Sequence, residues 1–280
     1  MKQLKLLNGV MMPIYGLGTF KVEGGQSGVD VVKNALSVGY RHIDTAKVYE
    51  NEFEVGKAIK ESGLSRKEIF ITTKQKENYE GDKNLIRQDI EDSFKQLQTD
   101  YIDLLLIHWP HHNPKINAIT WSVLEEFYQA GRLKAIGVSN FQIHHLEELK
   151  KTAKVLPMVN QIELHPGLQQ HRLTQYCQNE GIVVTSYGPF MKGLVYEGKY
   201  HDVLGGIAAK HQATIAQVII AWGLQRDLVM IPKTVRKERL IENLAGVNLV
   251  LDKEDLQLIK CLNAGSRVYT DPDNHPFFPF

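Results

Sequence analysis

The sequence predicts an α/β protein, a (β/α)8 TIM barrel with an N-terminal β-hairpin and a short C-terminal tail. Three observations carry that prediction. Eight short apolar runs alternate with amphipathic segments, the pattern of a parallel sheet whose strands are joined by helices. The runs are apolar at almost every position, as strands covered on both faces are. No Ser/Pro-rich linker or shift in composition divides the 280 residues, so the span 1–280 reads as one domain of a length that barrels commonly reach. An open doubly wound sheet would need a switch point in strand order, and the chain marks none.

The elements follow in order. "LKLL" and "VMMP" flank Asn8-Gly9, a dipeptide suited to the positive φ angles of a type I′ turn, so a hairpin lid opens the chain. The strand candidates are "IYGLG" (14–18), "HIDTA" (42–46), "IFITTK" (69–74), "DLLLIHW" (103–109), "AIGVSN" (135–140), "MVNQIEL" (158–164), "VVTSYG" (183–188) and "VMIPKT" (229–234). Helical periodicity covers 28–38, 51–61, 117–130, 142–153, 170–180, 199–210 continuing to 225, 236–244 and 253–262. It also covers 84–97, with Leu85, Ile90, Phe94 and Leu97 read as one face.

Composition narrows the function. The apolar fraction of 43% and the charged fraction of 23% are ordinary for a globular chain. A net charge of +1 leaves no basic footprint for nucleic acid or anionic membrane. Two cysteines without CxxC spacing, Cys177 and Cys261, point to a reducing, cytoplasmic setting rather than a disulfide framework. No apolar stretch is long enough for a membrane span, and Asn8-Gly9 and Pro13 interrupt any secretory pattern. No long apolar surface strip stands out, so a monomer is expected.

Barrels place their reacting groups at the carboxyl ends of strands. Here those ends carry Asp44, Lys74 and His108, with Tyr49 in the loop after the second strand. Each alone has an ordinary reading: Asp44 as a helix cap, Lys74 as a solvated side chain, His108 as a core histidine, Tyr49 as packing. Together they suit reduction of a carbonyl. A phenol is a reluctant acid at neutral pH, and a neighbouring ammonium eases its proton donation. A carboxylate holds the ammonium, and an imidazole orients or polarises the carbonyl oxygen. No nucleophile or metal is required, but a hydride donor is.

A nicotinamide is the expected donor, yet the dinucleotide fingerprint fails: Gly16 and Gly18 are followed by Lys21 where a third glycine belongs, and no GxxxxGK[ST] occurs. Near the eighth strand, "IPKTVRKERLIEN" places Lys233, Thr234 and Arg239 at a strand end and a helix start, where barrels commonly bind phosphate. Lys and Arg together fit a ribose 2′-phosphate, hence NADPH.

Taken as a set, "RHIDTAKVYENE", "IFITTK", "YIDLLLIHWP", "GVSNF", "NQIELHP" and "IPKTVRKERLIEN" resemble the aldo-keto reductase family almost end to end. The resemblance implies that Tyr49 is the proton donor, with Lys74, Asp44 and His108 as its partners. It implies that Ser139, Asn140 and Gln161 hold the nicotinamide carboxamide, that Tyr187 stacks on the ring, and that Thr19 and Asp44 also border the cofactor. Lys233, Thr234, Val235, Arg239, Glu242 and Asn243 match the family's 2′-phosphate and adenine contacts. The short loop "PHHNPKINAIT" and compact tail "DPDNHPFFPF" resemble the compact microbial branch, whose members reduce glyoxal, methylglyoxal and diketo sugar acids. The implied substrate is a small carbonyl compound in a shallow pocket walled by Phe20, Tyr49, Trp109 and Phe277.

Two positions depart from the family pattern. Gly188 stands where a serine usually follows the stacking aromatic, which removes a hydroxyl contact to the cofactor. Gln75-Lys76 stand where an apolar residue and a tryptophan are common, so a more polar pocket is expected. Among rivals, "YEGDK" (79–83) matches the Tyr-x-x-x-Lys of short-chain dehydrogenases but lacks their glycine fingerprint. His111-His112 and His144-His145 lack metal-site spacing and read as surface or cap histidines. A cofactor-holding sensor on the same fold is the non-enzyme alternative, and intact Tyr49, Lys74 and His108 argue against it.

Overall fold

The structure is a computed structural model, which describes residues 2–76 and 80–275. The chain opens with β1 (Gln3–Lys5) and β2 (Met11–Pro13), paired antiparallel with Leu4 opposite Met12. The hairpin forms as expected, but its turn differs. Leu6 donates its N–H to Val10 O (2.8 Å) and Gly9 its N–H to Leu6 O (2.9 Å), while φ is positive at Gly9 (+90°) and at no other turn residue. This is a three-residue loop, a type I turn closed by a glycine bulge, not the two-residue type I′ form. Register explains the choice. A two-residue loop would slip the pairing by one and separate Leu4, Leu6 and Met12, which share the face packed on the barrel.

Eight parallel strands follow: β3 (Leu17–Gly18), β4 (His42–Asp44), β5 (Phe70–Gln75), β6 (Ile102–Ile107), β7 (Leu133–Ser139), β8 (Val159–Glu163), β9 (Val183–Tyr187) and β10 (Val229–Met230). Each pairs with the next in sequence. A parallel bridge between Tyr15 and Met230 closes the ring, with Gly16 N–H on Met230 O and Met230 N–H on Ile14 O, both 2.9 Å.

Between strands run α1 (Gln26–Ser37), α2 (Glu52–Glu61), α3 (Lys83–Gln96), α4 (Pro114–Gln129), α5 (Ile143–Lys150), α6 (His171–Asn179), α7 (Gly198–Lys210), α8 (Ile215–Leu224), α9 (Lys237–Ala245) and, past β10, α10 (Lys253–Cys261). Two sequence expectations change here. The segment read as 199–210 continuing to 225 is two helices bent by 86°, because Thr214 starts α8 afresh with a capping box to Gln217. On α3 the buried face is Ile86, Ile90 and Phe94, with Leu97 just beyond the helix, whereas Leu85 is 46% exposed. Spacings of four, four and three residues keep a stripe in phase, and Leu85 lies outside it. No single helix among the described residues is long and apolar enough to cross a membrane. Cys177 is buried and Cys261 exposed, and both are free.

Side chains alternate across each strand, so the barrel has two apolar sets. Ile43, Ile71, Leu105, Ile136, Val138, Ile162 and Val184 face the helices. Phe70, Leu104, Leu106, Ala135, Val159, Val229 and Ile231 fill the interior. Leu6 and Met12 of the hairpin close on that inner set beside Phe70 and Met158, at the strands' amino ends. Continuing the inner columns by two or four residues brings positions 44, 74, 108, 139, 161 and 187 to the opposite, carboxyl-end mouth. The hairpin seals one end, and the polar layer occupies the other.

Candidate active site

Asp44 and Lys74 form the centre of that polar layer. Lys74 Nζ lies 2.6 Å from Asp44 Oδ1 and donates also to Thr45 O at 2.8 Å, and both side chains are almost wholly enclosed. Gln161 donates its amide to Asp44 Oδ2 at 2.6 Å. Burial pushes the Lys74 ammonium below the ordinary lysine value and the Asp44 carboxyl above the ordinary aspartate value, while their mutual attraction opposes both shifts.

Tyr49 is delivered by a single 3-10 turn, Lys47–Tyr49, which follows β4 directly. Lys47 contacts Asp92 on α3 and so ties the turn to the helix layer. The next residues fix the loop from beneath. Asn51, buried, accepts from Thr45 Oγ1 (2.7 Å) and Thr19 Oγ1 (3.3 Å) and donates to Thr19 O and Val22 O (both 3.0 Å). Glu52, also buried, accepts from Thr73 Oγ1 (2.6 Å) and Ser93 Oγ (3.1 Å). The half-buried Tyr49 ring thus sits with Lys74 Nζ 4.9 Å from its centroid and the His108 ring edge-on at 5.7 Å.

His108 follows β6 immediately and is 8% exposed. Burial, then the Lys74 charge, then His275 hold its imidazole well below the usual histidine value, so it is neutral at neutral pH. Its main-chain carbonyl accepts from Asn140 Nδ2 at 3.0 Å. Around the mouth, Phe20 tilts against Tyr49 (5.1 Å between centroids), and Trp109 stacks on His275 of the tail (4.0 Å, 24°). Phe20 is 45% exposed, so it is a rim residue rather than core. Phe277 and Tyr79 lie outside the described residues.

The residues matched to the nicotinamide end are joined to one another. Ser139 Oγ donates to Gln161 O (3.0 Å), Asn140 Nδ2 donates to Ser139 Oγ (3.1 Å), and Tyr187 OH donates to Asn140 Oδ1 (2.8 Å). Asn140 holds a left-handed backbone (φ +66°), a conformation that asparagine adopts more readily than most residues other than glycine. Thr19 donates its N–H to Asp44 O at 2.9 Å and is 1% exposed, so it supports the mouth from the β3 side.

The residues matched to the phosphate end cluster separately, between β10 and α9. Lys233 and Arg239 are exposed, and neither forms an ion pair with a carboxylate among the described residues. Val235 is 47% exposed, Glu242 is half-buried, and Thr234 and Asn243 are buried. Arg236, at the start of α9, provides no side-chain cap, so the first N–H groups of the helix are open to an anion. Two free cations beside an uncapped helix start suit a phosphate, and an amide-lined mouth suits a carboxamide. The donor set therefore fits a phosphorylated nicotinamide dinucleotide.

Comparison with known proteins agrees with this architecture. Residues 15–264 match the Aldo/keto reductase family. The chain belongs to that family. The reductase is 47% identical over 270 residues to a glyoxal reductase of Bacillus subtilis (strain 168), with 96% of each chain covered. It is 41% identical over 272 residues to methylglyoxal reductase DkgA of Escherichia coli (strain K12), again covering 96% of each. Among solved structures, a mutant of Gox0644 in complex with NADPH matches with a TM-score of 0.92 at 39% identity, over 99% of each chain.

The two departures from the family pattern take on physical meaning in the reductase. Gly188 has φ +62°, and a Cβ there would lie 2.5 Å from the Tyr269 ring, so the missing side chain makes room for the tail. The Gln75 amide closes onto the carbonyl of Lys76, and alternation along β5 puts it on the helix side of the strand. Gln75 therefore does not line the mouth, whereas the same alternation places the exposed Lys76 on the mouth side with Lys74, so the polarity expected of the pair rests on Lys76 alone. His145 accepts the Gln142 N–H at 3.1 Å and caps α5, as a cap histidine should; with His144 it also meets Asp273. Asn51, Glu52, Glu163 and Tyr269 were not singled out from sequence. Asn51 and Glu52 follow Tyr49 closely enough to have been suspected, whereas Glu163 and Tyr269 are joined only by the fold.

Proposed function

We propose that the reductase uses NADPH to convert small aldehydes and dicarbonyls, of the glyoxal and methylglyoxal type, to alcohols. The observation that carries this reading is the enclosed Lys74–Asp44 pair beneath Tyr49 and beside a neutral His108, at the open end of the barrel. Bound NADPH supplies the hydride. Tyr49 then donates its phenolic proton to the carbonyl oxygen as negative charge develops there. Lys74 stabilises the phenolate left behind, and Asp44 keeps Lys74 oriented beneath the ring. Neutral His108 hydrogen-bonds the same oxygen and sets its angle of approach. Ser139, Asn140 and Gln161 would hold the carboxamide, Tyr187 would border the nicotinamide ring, and Phe20 and Trp109 would wall the substrate. Lys233, Thr234, Val235, Arg239, Glu242 and Asn243 hold the adenosine and its 2′-phosphate.

The relatives named as glyoxal and methylglyoxal reductases support the substrate class, and the NADPH complex supports the cofactor. The test is loss of reduced-nicotinamide absorbance with a panel of aldehydes and dicarbonyls. Turnover by the wild type is expected, with Tyr49→Phe losing roughly a hundredfold or more in rate at unchanged NADPH affinity. Near-normal turnover by Tyr49→Phe would remove the proton-donor role.

A further inference from the structure

We infer that the C-terminal segment 264–269 is part of the cofactor-binding apparatus, with Tyr269 as the residue that positions Tyr187. The inference rests on the proposed placement of the nicotinamide along Tyr187. The segment is pinned by main-chain and buried side-chain contacts rather than lying loosely on the surface. Ala264 and Ser266 donate their N–H groups to Gly167 O at 3.0 and 3.1 Å. Val268 donates its N–H to Glu163 Oε1 at 2.6 Å, and Arg267 Nη1 sits 3.6 Å from Glu163 Oε2. Glu163 is fully enclosed, and its Oε1 also receives His165 Nε2 at 3.0 Å. The His165 Nδ1 accepts the Leu168 N–H, which leaves the proton on Nε2 to face the carboxylate. Glu163 is thus a buried anchor, and what it anchors is the tail.

The anchor has a geometric consequence at the mouth. Glu163 stands opposite Tyr187 in the β8–β9 register, so fixing Val268 on Glu163 brings Tyr269 beside Tyr187. The two rings meet edge to face, 5.2 Å apart at 82°. Tyr269 fills the space above Gly188, and Lys192 Nζ lies 4.4 Å from its ring centroid. Tyr187 is then held at two points, its hydroxyl on Asn140 and its ring on Tyr269. It cannot swing outward unless the tail moves. The width of the nicotinamide slot is set from the far end of the chain.

Binding of NADPH, followed by quenching of tryptophan fluorescence, tests this without relying on turnover. Tyr269→Ala should weaken binding by roughly three- to tenfold, the worth of an aromatic edge-to-face pair, and Tyr269→Phe should bind as the wild type does. Gly188→Ala supplies the second arm. In the wild-type background the added methyl meets the Tyr269 ring and should weaken binding. In the Tyr269→Ala background that space is open, and the further loss should be smaller. Undiminished binding by Tyr269→Ala overturns the inference, as does a Gly188→Ala loss of equal size in both backgrounds, which would assign it to backbone strain alone. If the wild type itself fails to bind NADPH, the proposed function fails instead, so the two failures are distinguishable.

Discussion

Replacing Asp44 by Asn tests the centre of the site, because it removes one charge from an enclosed pair and leaves the shape. Lys74 Nζ would keep the Thr45 carbonyl at 2.8 Å but lose the carboxylate at 2.6 Å. Breaking a buried pair on one side costs about 3–5 kcal/mol, because the remaining charge has no water to turn to. At about 2–4 °C per kcal/mol for a large domain, the melting temperature at pH 7 should fall by roughly 6–20 °C. Lys74→Met with Asp44→Asn removes both charges and should be markedly more stable than Asp44→Asn alone. The pH dependence gives an independent sign. Burial holds the Lys74 pKa below its unfolded value, and Asp44 opposes that shift, so its loss deepens it. A base with a depressed folded pKa destabilises the fold fully below that pKa, and the penalty fades as pH rises through it towards about 10.4. The gap between Asp44→Asn and wild type should therefore narrow from pH 7 to pH 10, read by circular dichroism melts. A melting temperature equal to wild type, or a double variant that simply sums the singles, would refute the charged pair.

Other expectations follow from the same geometry. Arg239→Ala should weaken NADPH more than NADH by about 1–3 kcal/mol, measured by fluorescence titration of both cofactors; equal losses would remove its 2′-phosphate role. Ile86→Ala should cost about 2–5 kcal/mol in denaturant melts, while Leu85→Ala on the exposed side of α3 should cost well under that. Asn51→Ala strips the four hydrogen bonds that hold the loop below Tyr49. With buried partners left unsatisfied it should lose about 2 kcal/mol or more of stability, and turnover as well, read by melts and by carbonyl reduction in parallel.

The barrel was legible because its two periods are simple. Short apolar runs separated by helical stretches named eight strands, and the strands that form begin and end within or close to those runs. Asp44, Lys74 and His108 were legible for the same reason, since each is the first chemically distinctive residue at a strand's carboxyl end. What the letters hid was phase and tertiary contact. Leu85 was grouped with Ile90 by apolar character, though five residues apart they point to different sides of a helix. The break between α7 and α8 is carried by a cap at Thr214 that competes with a long apolar run, and apolar pattern alone overrides it on paper. The turn at Asn8-Gly9 uses the positive φ of Gly9, but its length follows from which side chains share the face on the barrel floor, and the dipeptide alone does not give that. Glu163 and Tyr269 are 106 residues apart, and no local pattern joins them.

The layout of the interior separates stability from function. Towards the amino ends of the inner columns stand Phe70, Leu104, Ala135 and Val159, which pack with the hairpin and have no polar side-chain atom to satisfy. Further along the same columns stand Lys74, His108, Ser139 and Gln161. A chain selected for stability alone would continue the apolar filling, because apolar side chains of similar volume often replace a buried ion pair at no loss. Enclosing Lys74 and Asp44 instead means desolvating two charges, each of which burial drives towards its neutral form. Their attraction and the bonds from Gln161 and to Thr45 offset that cost without making the arrangement favourable in itself. The pair is therefore to be explained by what stands above it, and that is the Tyr49 ring.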